Sequence, residues 1–344
     1  MNRWNDIPYD VLEAFCQETA TLPNNSASSR APNEARKSLL ALSLVDSRTR
    51  EACYPWLFKK VTFNNTRPNS PSWKAFDEGM KLMVKNPPLC RAIKTFQLYG
   101  YVLDVKKNCP SPTTYKLLPT FLASLPQLHT LTFLIQDPFV PKFRSAFAHL
   151  LRTCGPWLTI ENLAISRNCA FLINHCPNIL ELEETSLYKD KVVKFVAITE
   201  PLGTSRRRLR TLSTAEAISS NTLQDILKSL PLLKELKFSG DLSEDQSNQQ
   251  GIMKFLPEFA HFAHLHRLIL PNSSTLGIGF NPPWCMPHTP SLLKRVKREG
   301  QEAAERVARG VQAVCPGVSE LWIGVICFKR DGKGVMVCSN LEKD

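Results

Sequence analysis

The feature that most constrains this chain is a pattern, Φ-x-x-Φ-x-Φ with Φ apolar, that recurs after residue 90. Three copies are complete and carry a proline just ahead of them. These are Leu125-Pro126-x-Leu128-x-x-Leu131-x-Phe133, Leu230-Pro231-x-Leu233-x-x-Leu236-x-Phe238 and Cys315-Pro316-x-Val318-x-x-Leu321-x-Ile323. Weaker copies are Ile93-x-x-Phe96-x-Leu98, Ile160-x-x-Leu163-x-Ile165 and Leu265-x-x-Leu268-x-Leu270, with partial ones at Ile179-x-x-Leu182 and Leu209-x-x-Leu212. The first Φ thus falls at 93, 128, 160, 179, 209, 233, 265 and 318. Self-similarity at intervals of about 30 residues is the mark of stacked supersecondary units.

Each copy has a direct physical reading. Its last three positions alternate, as in a short strand with one buried face. The stretches ahead of the copies have helical spacing instead: Leu117, Phe121, Leu122, Leu125; Phe143, Phe147, Leu150, Leu151; Phe171, Leu172, His175; and Leu223, Ile226, Leu227, Leu230. A proline ends the helix and a strand follows. The 45 leucines and 25 prolines against only 14 glycines suit a chain built this way. The expected class is α/β, an irregular solenoid over residues 89–325 that resembles the leucine-rich-repeat family. The Asn or Cys that usually closes that family's strand segment is mostly missing. In a stack of parallel strands the residues flanking the middle Φ face outward: Thr130 and Thr132, Glu181 and Glu183, Glu235 and Lys237, Arg267 and Ile269, Glu320 and Trp322. Of these, Thr130, Thr132, Glu235, Lys237, Arg267 and Trp322 are the expected contacts to a protein substrate, with Trp322 the anchor-type side chain.

The long gap before Val318 reads as an insertion, a helix over 289–314 with Leu293, Val296, Gly300, Ala303, Val307, Val311 and Val314 on one face. Its outer face carries Lys294, Arg295, Lys297 and Arg298, and a second basic cluster is Arg206, Arg207, Arg208 and Arg210. Residues 326–344 read as a hairpin and tail, with strands from Val325 to Phe328 and from Val335 to Cys338 around an Asp331-Gly332 turn.

The N-terminal 63 residues differ from the rest. Asp6 is placed to cap a helix opened by Ile7-Pro8, along which Val11, Leu12 and Phe15 make an apolar stripe. Residues 19–36, polar with two prolines, read as a loop. A second block, Leu39-Leu40-x-Leu42-Ser43-Leu44-Val45-Asp46-Ser47-Arg48-x-Arg50, precedes Tyr54-Pro55 and then Pro55-Trp56-Leu57-Phe58-x-x-Val61-x-Phe63. These three blocks, in this order, resemble the F-box family over residues 4–63, although the loop is longer than the family's usual spacing. The resemblance implies a small helical module at 1–63 that docks on a Skp-family adaptor, which joins it to a cullin-RING ubiquitin ligase. The docking residues implied are Ile7, Pro8, Val11, Leu12, Phe15, Leu42, Val45, Arg48, Leu57 and Phe58. Residues 64–88 are expected to be a linker and first helix of the solenoid.

The net charge of +12 comes almost wholly from residues beyond 63. A basic surface favours acidic partners, although it says nothing about fold. Eleven cysteines occur without any C-x-x-C pair, and there is neither a signal-like N-terminus nor an apolar run of membrane-spanning length. This suits a reduced cytoplasmic or nuclear setting and no membrane partner. His261, His264 and His266 lie close together without an acidic or Cys residue at ligand spacing, and Gly277-x-Gly279 lacks the context of a nucleotide loop. No cofactor, metal or catalytic residue is therefore expected. The implied function is that of a non-catalytic substrate receptor in a Skp–cullin–F-box ubiquitin ligase. The alternative is a scaffold or nucleic-acid-binding repeat protein using the basic clusters, and of these two partners nucleic acid is the less expected.

Overall fold

A computed structural model describes residues 7–21, 31–66, 70–101, 109–185, 208–242, 251–280 and 289–339. The chain divides into two compact units, Met1–Glu161 and Asn162–Asp344. Asp6, Arg206 and Arg207 lie outside the described residues.

The first unit opens with three mutually packed helices, α1 (Tyr9–Thr21), α2 (Ala31–Leu42) and α3 (Ser47–Leu57). Leu12, Cys16, Leu39, Ala52, Cys53 and Leu57 form their shared core. The helical segments are longer than periodicity suggested. The expected loop at 19–36 shrinks at both ends, because α1 runs to Thr21 and α2 begins at Ala31. Pro32 sits in the first turn of α2, where the missing N–H has no intrahelical partner to lose. The Tyr54-Pro55 break also fails to end α3. The helix continues to Leu57, closed by the Phe58 N–H donating to the Tyr54 carbonyl at 2.9 Å. Asp46 caps its start, accepting from the Thr49 N–H at 2.8 Å.

Next come β1 (Lys60–Asn64), α4 (Trp73–Val84), α5 (Pro87–Ala92), β2 (Thr95–Gly100), α6 (Pro112–Ala123), β3 (Thr130–Ile135) and α7 (Val140–Cys154). The strands β1, β2 and β3 pair in parallel and in chain order. A module boundary at 63 therefore cuts through a strand. Phe58-x-x-Val61-x-Phe63 is itself a copy of Φ-x-x-Φ-x-Φ, one that the resemblance at the N-terminus had absorbed. Helices α4, α6 and α7 bury aromatic side chains against the strands, with Phe76 stacked on Phe63 and Phe143 edge-on to Phe133.

The second unit holds β4 (Asn162–Ser166), β5 (Glu181–Thr185), β6 (Thr211–Thr214), β7 (Glu235–Phe238), β8 (Arg267–Leu270), β9 (Glu320–Ile323), β10 (Ile326–Arg330) and β11 (Met336–Cys338). Strands β4 to β9 are parallel and follow one another in chain order, while β10 and β11 add two antiparallel strands. Among the described residues the α-helices are α8 (Ser220–Ser229), α9 (Leu256–Ala260) and α10 (Pro290–Val314), and a 3₁₀ segment, Arg167–His175, lies between β4 and β5. Phe171, Leu172 and His175 thus lie in 3₁₀ turns rather than in the α-helix that their spacing suggested.

All eight expected strands are present, and β2 to β9 each start two residues after a first Φ. Every one of those residues, from Ile93 to Val318, is at most 1% exposed. Six of the strands are preceded by a carbonyl that accepts from the following unit. Lys59 and Lys94 do this in the first unit, and Leu180, Arg210, Lys234 and His266 in the second, each accepting two N–H groups at 2.8–3.1 Å. Purely sequential order leaves no strand-order reversal of the kind where doubly wound sheets bind ligands.

The expected insertion helix proves to be α10, which stands where the other connections carry theirs, between β8 and β9. It is the unit's own helix, and the extra chain length precedes it. Ala303, Ala304, Val307, Ala308 and Val311 are buried, whereas Leu293 and Val314 at the ends of the expected stripe are exposed. At the C-terminal end β10 and β11 form a hairpin, Phe328 pairing with Cys338 and Arg330 with Met336 around Asp331.

Candidate functional site

Three groups of residues come under consideration: the surface of the N-terminal helices, one face of the second unit's sheet, and a buried ion-pair network.

On the helical module, a buried stripe sits beside an exposed one on both α1 and α2. Leu12 and Cys16 face inward; one position earlier, Val11 and Phe15 are 51% and 54% exposed. Leu39 and Ser43 are buried, whereas Leu40 and Leu44 one position later are 45% and 76% exposed. Spacing of four residues keeps Leu12 with Cys16, and Val11 with Phe15, on one face of α1, while Ser43 and Leu44 lie in the turn just past the end of α2. Val45, at the end of the α2–α3 turn, is 58% exposed, and Pro8 is exposed while Arg48 is half-buried. The expected docking set therefore separates. Pro8, Val11, Phe15 and Val45 are available to a partner. Ile7, Leu42 and Phe58 are half-buried against the module's own core, and Leu12 and Leu57 belong to that core. The last two are corrections: the apolar spacing that marks a helix face cannot separate the face a helix shows its neighbours from the face it shows a partner. Leu40 and Leu44 are the exposed members that the docking set missed. Within the core, the Cys16 and Cys53 thiols lie 3.6 Å apart, and burial pushes Cys53 up to about 12, which makes it unreactive. No disulfide joins any of the described cysteines.

In the second unit, register lines up the residues flanking the middle Φ in two rows. One runs Glu181, Thr211, Glu235, Arg267, Glu320, and the other Glu183, Ser213, Lys237, Ile269, Trp322. Between them runs a buried row of Leu182, Leu212, Leu236, Leu268 and Leu321. Arg267 lies between two carboxylates, its Nη1 3.3 Å from Glu235 Oε2 and its Nε 3.2 Å from Glu320 Oε1. The guanidinium sits 5.9 Å from the centre of the Trp322 ring, whose Nε1–H donates to Glu320. These partly exposed contacts are worth only about 0.2–1 kcal/mol each. Their effect is to hold Trp322 in one orientation on the surface. Arg267 thus links Glu235 to Trp322, and Lys237 stands in the same row as Trp322. Thr130 and Thr132 belong to the first unit, and Thr132 is a correction: β3 is buried on both faces from Leu131 onward, leaving Thr132 only 6% exposed.

Sequence reading missed the third group. Glu184, 1% exposed, accepts from Arg167 Nε at 2.6 Å, from the Thr214 hydroxyl at 2.6 Å and from the Ala215 N–H at 3.2 Å. Arg167 also reaches Glu216 at 3.2 Å. Burial raises the Glu216 carboxyl above its usual range and Glu184 adds to the rise, against the pull of Arg167. The network ties together the C-terminal ends of β4, β5 and β6. Glu184 occupies an inward position of an otherwise regular strand, and a charged residue at such a position is the signal that would have revealed it.

The basic clusters differ from each other. Lys294, Arg295, Lys297 and Arg298 are exposed on α10, with Arg295 2.7 Å from Glu299 and Arg298 3.8 Å from Glu302. Of the other cluster, Arg208 donates to Asn178 and Arg210 to the Leu232 carbonyl. His261, His264 and His266 are exposed. Among the described residues no group of three His, Cys, Asp or Glu side chains is placed to hold a metal ion. No described helix is long and apolar enough to cross a membrane. No protein-family model matches the chain, and no curated protein matches it either.

Proposed function

We propose that the chain is a non-catalytic substrate receptor. In this reading its N-terminal helices dock on a Skp-family adaptor of a cullin-RING ubiquitin ligase, and its strand-and-helix region, a solenoid of the leucine-rich-repeat kind, holds a protein substrate. The reading places the protein in the cytoplasm or nucleus. Its contribution to ubiquitin transfer is proximity, since holding an acceptor near a loaded enzyme converts a bimolecular step into a local one.

The observation that carries the reading is the exposure of Val11 and Phe15 on α1 and of Leu40, Leu44 and Val45 at and beyond the end of α2, on a module that already has a core of its own. Exposed apolar side chains of this kind, four of them more than half exposed, are what a partner helix or sheet would cover. Parallel strands in chain order, with Trp322 fixed on their outward face, support the substrate-holding half.

A pull-down of the full chain with the adaptor tests it. Phe15→Asp together with Val45→Asp should abolish co-purification while circular dichroism stays unchanged; undiminished co-purification would overturn the reading. Leu12→Asp is the contrasting variant, since it places a charge in the module's core and should disorder α1. The alternative, a nucleic-acid-binding scaffold, is less well supported because Arg295 and Arg298 are engaged by acidic neighbours on the same helix.

A further inference from the structure

The first strand, β1, pairs with β2 alone among the described residues. Its ladder is anchored at both ends. The Lys59 carbonyl accepts from the Thr95 N–H at 2.9 Å, and the Asn65 N–H donates to the Tyr99 carbonyl at 2.9 Å. Along a strand the residues that bond a given neighbour alternate, so Lys59, Val61, Phe63 and Asn65 turn their backbone groups toward β2. Lys60 and Thr62, both exposed, turn theirs to the open side. An open edge of this kind is a template for a further strand.

A cavity of about 870 Å³ follows this edge, bounded by Lys59 to Thr62 on one side and by α2 and α3 on the other. Ligand pockets usually measure roughly 300–1,000 Å³, so this one has room for a short stretch of chain. Its accessible apolar lining is Trp56, Phe58, Val61 and Met83, all half-buried. Its charged lining is Arg36, Lys59 and Lys60, all exposed, and no acidic side chain joins them. Residues 1–63 carry nearly equal numbers of cations and anions, so a lining of one sign is a local arrangement. It also selects the occupant. A second copy of the same edge would set Lys59 and Lys60 against their own kind, which is how edge lysines prevent self-pairing. An acidic strand meets attraction at the same positions.

We propose that the open edge of β1 takes an extended acidic segment of a partner protein as an added strand. The segment's main chain bonds to Lys60 and Thr62, its apolar side chains enter the cavity, and its carboxylates lie toward Arg36, Lys59 and Lys60. The proposal does not rest on the adaptor-docking reading, because none of Val11, Phe15, Leu40, Leu44 and Val45 lines the cavity.

Fluorescence anisotropy of the full chain with two labelled heptapeptides tests it, one alternating glutamate with valine and the other lysine with valine. The acidic peptide should bind at least tenfold more tightly than the basic one. Lys59→Glu together with Lys60→Glu should reverse that preference. Thr62→Pro removes an N–H on the open side, where an edge strand tolerates proline, and should weaken the acidic peptide at least tenfold. Should that variant fail to fold, the wild-type chain still supplies the test. N-methylating the peptide at its valines or at its glutamates blocks opposite edges of the added strand, so one modification should abolish binding and the other spare it. Absence of binding by the acidic peptide, equal binding of the two peptides, or a preference that survives the charge reversal would overturn the proposal. So would equal effects of the two methylations, or a dimer of the wild-type chain that Thr62→Pro dissolves, which would give the edge to a second copy.

Discussion

Two carboxylates in the second unit show how burial decides what a charge is worth. Glu184 is enclosed with Arg167, Thr214 and the Ala215 N–H, so removing it takes the acceptor from the Thr214 hydroxyl and the Ala215 N–H and leaves Arg167 to Glu216 alone. Glu235, a quarter exposed, shares Arg267 with Glu320 in contact with solvent. Glu184→Ala should therefore lower unfolding stability by about 1–3 kcal/mol, and Glu235→Ala by no more than about 1 kcal/mol, as read from urea denaturation. His175 supplies a pH signature. Burial lowers its imidazole to about 4, beneath the unfolded value near 6.5. Between these limits the unfolded chain takes up a proton that the folded chain refuses. The stabilisation is complete above the unfolded value and is lost as pH falls toward the folded one. Wild-type stability should drop by ~2 kcal/mol more than that of His175→Leu between pH 7 and pH 5. Equal drops would show that the imidazole titrates freely in the folded state.

Among the elements, strands were easier to read from the sequence than helices. A strand here is four to six residues long with a buried first Φ, and three or four side chains locate it. Helix limits depended on prolines whose meaning is positional. Pro126, Pro231 and Pro316 follow helix ends, as expected of a residue that cannot continue a helix. Pro32, by contrast, lies inside the first turn of α2 and Pro55 inside the last turn of α3. The same limit applies to faces. Val11 and Leu12 are equally apolar neighbours, and only packing against α3 decides that one is core and the other surface. The contrast between Phe15→Asp and Leu12→Asp is a statement about α1 as an element: one face tolerates a charge and the adjoining face does not.

Across each unit, stability passes from strand to adjacent strand through the leucine row and the paired carbonyls. Such quasi-one-dimensional stacks fray at their ends. Amide exchange should accordingly be fastest in β11, which pairs with a single strand and has half-exposed or exposed side chains throughout. It should be slowest in β6 to β8, which have a paired strand on both sides. Mass-spectrometric exchange measures this directly, and faster exchange in β7 than in β11 would contradict it. The excess positive charge, borne almost entirely beyond residue 63, favours acidic partners on the strand-and-helix region rather than on the N-terminal helices.

The sequence alone determined the strand starts, because a residue that must be buried in every unit leaves a periodic trace whatever surrounds it. It also determined α10 and the final hairpin, where the apolar spacing and turn residues are local. Only the tertiary structure decided that β1 joins the sheet, that Leu12 and Leu57 are core, and that Glu184 is enclosed by Arg167 and Thr214. It alone brought Asp77 to Ser111 across 34 residues of chain. The physical reason is the same in each case: burial and pairing depend on partners distant in sequence, and no local pattern records them.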